Sequence, residues 1–149
     1  MTRKLQKTVL FNRVSTAEQE KGFSLDAQKR LAQKYAEDKG LVVIKSWSLS
    51  ESASKEKERK SFFEMMDYVR KEKVRHVLFD KVDRAVRGYR SAALIQEFMD
   101  EDEVCFHFVR DNLAINKDSS VSDKDRFGIG VWLGKRYIDN LKSEVIKGM

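Results

Sequence analysis

Val9, Leu10, Phe11, Asn12, Arg13, Val14, Ser15 and Thr16 are the stretch on which the fold turns. Residues 9–11 are a short apolar run preceded by a basic tail, which reads as a buried strand. The polar residues 13–23, with Gly22 among them, predict a loop directly behind it. Ser24 then offers an N-cap, and Leu31, Ala32, Tyr35 and Ala36 lie at helical spacing up to a stop at Gly40. Residues 41–47, through Val42, Val43 and Ile44, predict a second buried strand. Residues 48–60 are dense in Ser, Glu and Lys and predict a mobile loop. Phe62, Phe63, Met65, Met66 and Val69 mark the next helix, and 74–79 a third strand. Residues 89–100 read as a helix with Ala93, Leu94 and Phe98 inward, and 104–109 as a fourth strand. A polar connection over 110–123 leads to one long helix over 124–147, with Ile129, Trp132, Leu133, Tyr137 and Leu141 apolar. Strands alternating with helices predict an α/β fold with a mostly parallel sheet. In such sheets function gathers in loops at the carboxyl ends of strands, and the first of those loops opens at Arg13.

The whole chain bounds what that loop can do. Its 149 residues suit one domain, and no repeat or Gly/Ser linker divides it. Thirty Lys and Arg against 24 Asp and Glu leave a net charge of +6, a balance that favours polyanion partners. The single cysteine, Cys105, excludes a disulfide framework and reads as an inert core thiol in an apolar run. His76 and His107 also lie in strand-like apolar runs and read as structural, so no Cys/His metal cluster is expected. The sequence has no signal peptide and no apolar run long enough to span a bilayer, so the expected setting is cytoplasmic, without a membrane.

A serine hydroxyl is a weak nucleophile unless a base or fixed positive charge assists it. No histidine falls in a strand-end loop, which argues against a Ser-His-Asp hydrolase, and no Gly-x-Ser-x-Gly elbow exists. Arginine is offered instead. Arg13 lies two residues before Ser15, Arg59 closes the 48–60 loop, and Asp83, Arg84 and Arg87 follow the third strand. In a helical stretch Arg84 and Arg87, at i and i+3, project from one face. Guanidinium forks grip phosphate oxygens in pairs and stabilise charge on a phosphodiester under attack. A serine among arginines therefore points to phosphoryl transfer rather than acyl transfer.

These residues resemble a known family. Phe11, Asn12, Arg13, Val14, Ser15, Thr16, then Gln19, Gly22, Ser24, Leu25 and Gln28, are similar to the opening of serine recombinases. This is the resolvase/invertase family, and the likeness is to its large serine recombinase branch. Glu51, Ser52, Ala53, Arg59 and Phe62 resemble the family's loop after its second strand. Lys81, Asp83, Arg84 and Arg87 resemble its Asp-Arg-x-x-Arg motif, and Tyr137, Asp139, Asn140 and Leu141 the start of its interface helix. The sequence departs from the pattern at Phe11, Asn12, Ala53, Lys60, Ala85 and Val86, none of them a charged catalytic position.

The resemblance implies a resolvase-like three-layer α/β fold with a mostly parallel central sheet and a long C-terminal helix. It implies that Ser15 attacks DNA to form a 5′-phosphoserine and release a 3′-hydroxyl. Arg13, Arg84 and Arg87 would bind the scissile phosphate, Arg59 would join them, and Asp83 would orient an arginine or handle a proton. Gln19 and Gln28 would support the nucleophile loop. Neither metal nor ATP would be needed, and no cofactor is implied. DNA and further copies of the chain, as dimer or tetramer through the helix from about 124, would be the partners. Residues 1–149 are expected to be one catalytic domain, a fragment without DNA-reading domains. Two rival readings are a receiver-like phosphate-binding module, which wants clustered acids, and a metal-dependent nuclease, which wants converging carboxylates. Here Asp80 and Asp83 are the main acids at strand ends.

Overall fold

The computed structural model describes residues 4–14, 25–50, 54–86 and 89–147, with 14, 25, 84, 89 and 136–147 as backbone alone. Five strands, β1 (Gln6–Val14), β2 (Leu41–Ser50), β3 (His76–Phe79), β4 (Cys105–Phe108) and β5 (Leu113–Ile115), form one sheet in the order β2-β1-β3-β4-β5. All neighbours are parallel except β4 and β5, which are antiparallel. The helices are α1 (Leu25–Asp38), α2 (Lys55–Lys71), the single turn α3 (Val82–Ala85), α4 (Tyr89–Glu101) and α5 (Val121–Lys147). The expected α/β fold with a mostly parallel sheet and a long last helix is the one observed.

Alternation along the strands builds the layers. Val9, Phe11, Val77, Phe79, Phe106 and Phe108 point to one face, where Phe62, Met65, Met66 and Val69 of α2 and Ile95, Phe98 and Met99 of α4 cover them. Phe79 is fully buried at the centre, stacked on Phe106 at 6.1 Å and on Phe108 at 5.5 Å, with Phe11 edge-on at 5.9 Å. Leu10 and Leu78 point the other way, under Ala32 and Ala36 of α1. The small alanines let α1 lie close to the sheet. Gly40, at φ 72°, ends that helix as the sequence predicts.

Four expectations need correction. β2 is an edge strand with Val42 and Ile44 exposed, not a buried run. Its register against β1 slips at Thr8/Val9, where Ile44 is the extra residue. That bulge flips the alternation: Leu41 and Val43 pack toward α1, whereas Trp47 and Leu49 pack toward α2. Residues 55–60 are helical, not loop. Ser54 caps α2 by accepting from the Lys57 N–H at 3.1 Å, and Glu56 and Glu58 suit the positive end of the helix dipole. The polar connection over 110–123 holds β5, whose Leu113 and Ile115 are buried beside β4. The nucleophile-side strand also runs further than residues 9–11: β1 reaches Val14, so Arg13 is a strand residue rather than a loop residue.

Candidate active site

β1 lies between β2 and β3, and its carboxyl end delivers Arg13 to the α2 face of the sheet. The Arg13 side chain is only 7% exposed, and its Nη1 donates to Glu58 Oε1 in an ion pair. A guanidinium this buried needs such a partner, since removing a charge from water costs several kcal/mol. Glu58 comes from the first turn of α2, 45 residues away. A cleft lined by Phe11, Arg13, Asp80, Lys81 and Ala85 opens at the same place. It joins the end of β1 to the end of β3 and to the α3 turn.

That turn carries Asp83, exposed, and the backbone of Arg84. Several residues outside it hold it in place. Asp111, in the β4–β5 turn, accepts from the Val82 N–H at 2.9 Å, which satisfies a donor that Lys81 at the N-cap leaves open. Arg126 of α5 donates to the Asp111 carbonyl at 2.7 Å. Asp80, at the end of β3 and 7% exposed, is clasped by Arg110, whose Nε donates to Oδ1 at 2.6 Å and whose Nη2 donates to Oδ2. From the other side α5 presses its glycines on the turn. A Cβ at Gly130 would lie 2.6 Å from Val82 Cγ1, and one at Gly134 2.7 Å from the Val86 carbonyl oxygen and 2.9 Å from that of Asp83. The absence of side chains there is what lets the long helix meet the turn.

Of the residues singled out in the sequence, the structure brings Arg13 to a cleft that Lys81 and Ala85 of the α3 turn also line, whereas Asp83 on that turn is exposed and is not among its lining residues. Arg59 is exposed on α2, next in sequence to the Glu58 that holds Arg13. Gln28 is buried on α1. Ser15, Gln19 and Arg87 lie outside the described residues, as does the side chain of Arg84. Sequence reasoning missed Glu58, Asp111, Gly130 and Gly134. Only the glycines left a trace there, being poor helix residues inside a helical pattern.

A second cluster was also missed. His76, Cys105 and His107 each present a ligand-capable atom, all within 4.8 Å of one another. Burial pushes the Cys105 thiol up to about 11 and, with His76 and Lys39 nearby, His107 down to about 4; His76 is lowered by burial too. Both imidazoles are thus neutral at neutral pH.

The Resolvase, N terminal domain family matches residues 8–145 of the chain. Among solved structures, the N-terminal catalytic domain of TP901-1 integrase superposes with a TM-score of 0.62 at 24% identity, covering 94% of this chain and 98% of that one. A resolvase family site-specific recombinase from Streptococcus pneumoniae gives 0.61 at 20% identity, over 96% and 95% of the two chains. The C-terminal catalytic domain of ISC1926 TnpA, an IS607-like serine recombinase, gives 0.53 at 22%, over 83% and 76%. At these identities the likeness is one of fold. No curated protein matches. Among the described residues no helix is long and apolar enough to cross a membrane.

Proposed function

This chain belongs to the resolvase N-terminal domain family, and from that premise we propose that it is the catalytic domain of a large serine recombinase, with Ser15 as nucleophile. The observation that carries the proposal is the family match over 8–145 together with Arg13, two residues before Ser15, at the carboxyl end of β1 in a cleft shared with the α3 turn. Ser15 Oγ attacks a DNA phosphodiester. An O–P bond to serine forms, the bond to the 3′ oxygen breaks, and the serine proton is passed on as the 3′-hydroxyl leaves. Arg13, Arg84 and Arg87 hold the phosphoryl oxygens, where charge grows in the transition state, and no metal or nucleotide is required. Arg59 closes on the phosphate from α2, and Asp83 orients an arginine or carries the proton. Gln19 and Gln28 support the nucleophile segment. Rejoining reverses the attack with a new 3′-hydroxyl, so the phosphoserine conserves the bond energy.

Residues 1–149 act as one catalytic unit that partners DNA and other copies of itself, as dimer and tetramer, through α5. The setting is cytoplasmic. The test is Ser15→Ala in the chain fused to a DNA-binding domain that delivers it to a known site. Strand cleavage should vanish while DNA binding stays. Cleavage that persists, or that depends on added Mg²⁺, overturns the proposal.

A further inference from the structure

The α1 face of the sheet carries the cluster of His76, Cys105 and His107 at the end opposite Arg13. His76 opens β3 and is paired in register with Cys105, and His107 follows two residues along β4. All three side chains therefore project to the same face. His76 Nδ1 and His107 Nε2 face each other at 2.9 Å. Each outward ring nitrogen is held: His107 Nδ1 lies 2.8 Å from Tyr35 Oη, and His76 Nε2 bonds Gln6 Oε1. His107 is buried, and His76 and Cys105 are half-buried. Two inner nitrogens in contact, a thiol within 4.8 Å and outer nitrogens anchored by polar partners supply the ligand types of a tetrahedral site and the groups that orient them.

We propose that His76, Cys105 and His107 bind a Zn²⁺ ion through Nδ1, Sγ and Nε2, with water in the fourth position. Without an ion the hydrogen bonds form a directed chain. Gln6 Oε1 accepts from His76 Nε2–H, His76 Nδ1 accepts from His107 Nε2–H, and His107 Nδ1 accepts from the Tyr35 hydroxyl. On binding, His107 carries its proton on Nδ1 and donates it to Tyr35 Oη, which frees Nε2. Cys105 loses its proton to solvent, so one proton is released per ion. His76 keeps its tautomer. The two nitrogens part from 2.9 Å to about 3.3 Å, the edge of a tetrahedron with metal–nitrogen bonds near 2.05 Å. The ion ties β3 to β4 and, through Tyr35, to α1. It stands apart from the proposed reaction: His76 is level with Thr8, five residues before Arg13, or about 16 Å along β1.

The experiment is titration of the EDTA-stripped chain with Zn²⁺ alone, by calorimetry, and with Co²⁺ as a coloured stand-in. One ion per chain, one proton released per ion and a thiolate-to-Co²⁺ charge-transfer band are expected. Cys105→Ser should abolish the band and weaken Zn²⁺ binding at least tenfold. His76→Gln, at a half-buried position, tests the imidazole arm without emptying the core, and should weaken binding similarly. Tyr35→Phe, which removes only the anchor, should cost about 10- to 100-fold in affinity. No saturable binding, a Co²⁺ complex without the thiolate band, or affinity unchanged in both Cys105→Ser and His76→Gln overturns the proposal.

Discussion

Arg13 is the residue at which the fold and the proposed chemistry meet. The strand places it, and Glu58 holds it. If Arg13 takes the scissile phosphate as proposed, that phosphate competes with the Glu58 carboxylate for the same guanidinium, and Glu58 sets a threshold for DNA. Glu58→Gln keeps the shape of the side chain and removes the charge. It should tighten binding of a short DNA duplex by roughly 1 kcal/mol, about fivefold, measured by fluorescence anisotropy at fixed salt. Unchanged or weaker binding would mean that Glu58 aims Arg13 at the DNA rather than competing for it. Much at this scale was legible before the fold was known. Arg13 stood out because it lies two residues before a serine and directly behind an apolar run. Its partner did not, because nothing in the spacing links position 13 to position 58. The same blindness hid His76, Cys105 and His107, which become neighbours only when β3 and β4 pair.

Elements decide how well the α3 turn is fixed. Among the described residues, α5 buries Phe127, Val131 and Gly134, a stripe at helical spacing, and presses Gly130 and Gly134 on residues 82–86. Gly128, on the same helix, is exposed with nothing near its Cβ position. Three substitutions should therefore separate. Gly128→Ala should stabilise the chain by about 0.5–1 kcal/mol, the helical cost of glycine. Gly130→Ala and Gly134→Ala should each destabilise it by about 1–3 kcal/mol, through overpacking. For a chain of this size each kcal/mol moves Tm by about 2–4 °C, within reach of a calorimetric melt. A neutral Gly134→Ala would show that α5 does not press on the turn. Among the described residues, sequence periodicity found every helix of more than one turn, because each carries an apolar stripe. It misjudged β2, since an apolar run looks the same on an edge as in the centre and a bulge leaves no local mark. It missed β5 because two apolar residues flanked by Asp111, Asn112 and Lys117 are too short a signal.

At the scale of the molecule, α5 leaves Ile129, Trp132 and Leu133 from 47% to 59% exposed, while its neighbouring stripe is buried. An apolar face of this kind on a helix of 27 residues suits a second copy of the chain. Sedimentation should show self-association at high concentration, weakened by Leu133→Lys. A monomer at every concentration would remove α5 as the interface and leave the chemistry standing. The net charge of +6 fits a polyanion partner without choosing one. The layered architecture followed from the alternation of strand and helix, whereas the role of the sheet's carboxyl end rests on chemistry that only particular residues supply. That chemistry is tested most directly by trapping. The chain, fused to a DNA-binding domain, is incubated without metal on a nicked site from which the cut strand can diffuse away, and the protein is digested and its DNA-linked peptide sequenced. The account predicts a 5′-phosphodiester on Ser15, absent from Ser15→Ala. DNA cut with no covalent adduct, or an adduct on any other residue, would contradict it.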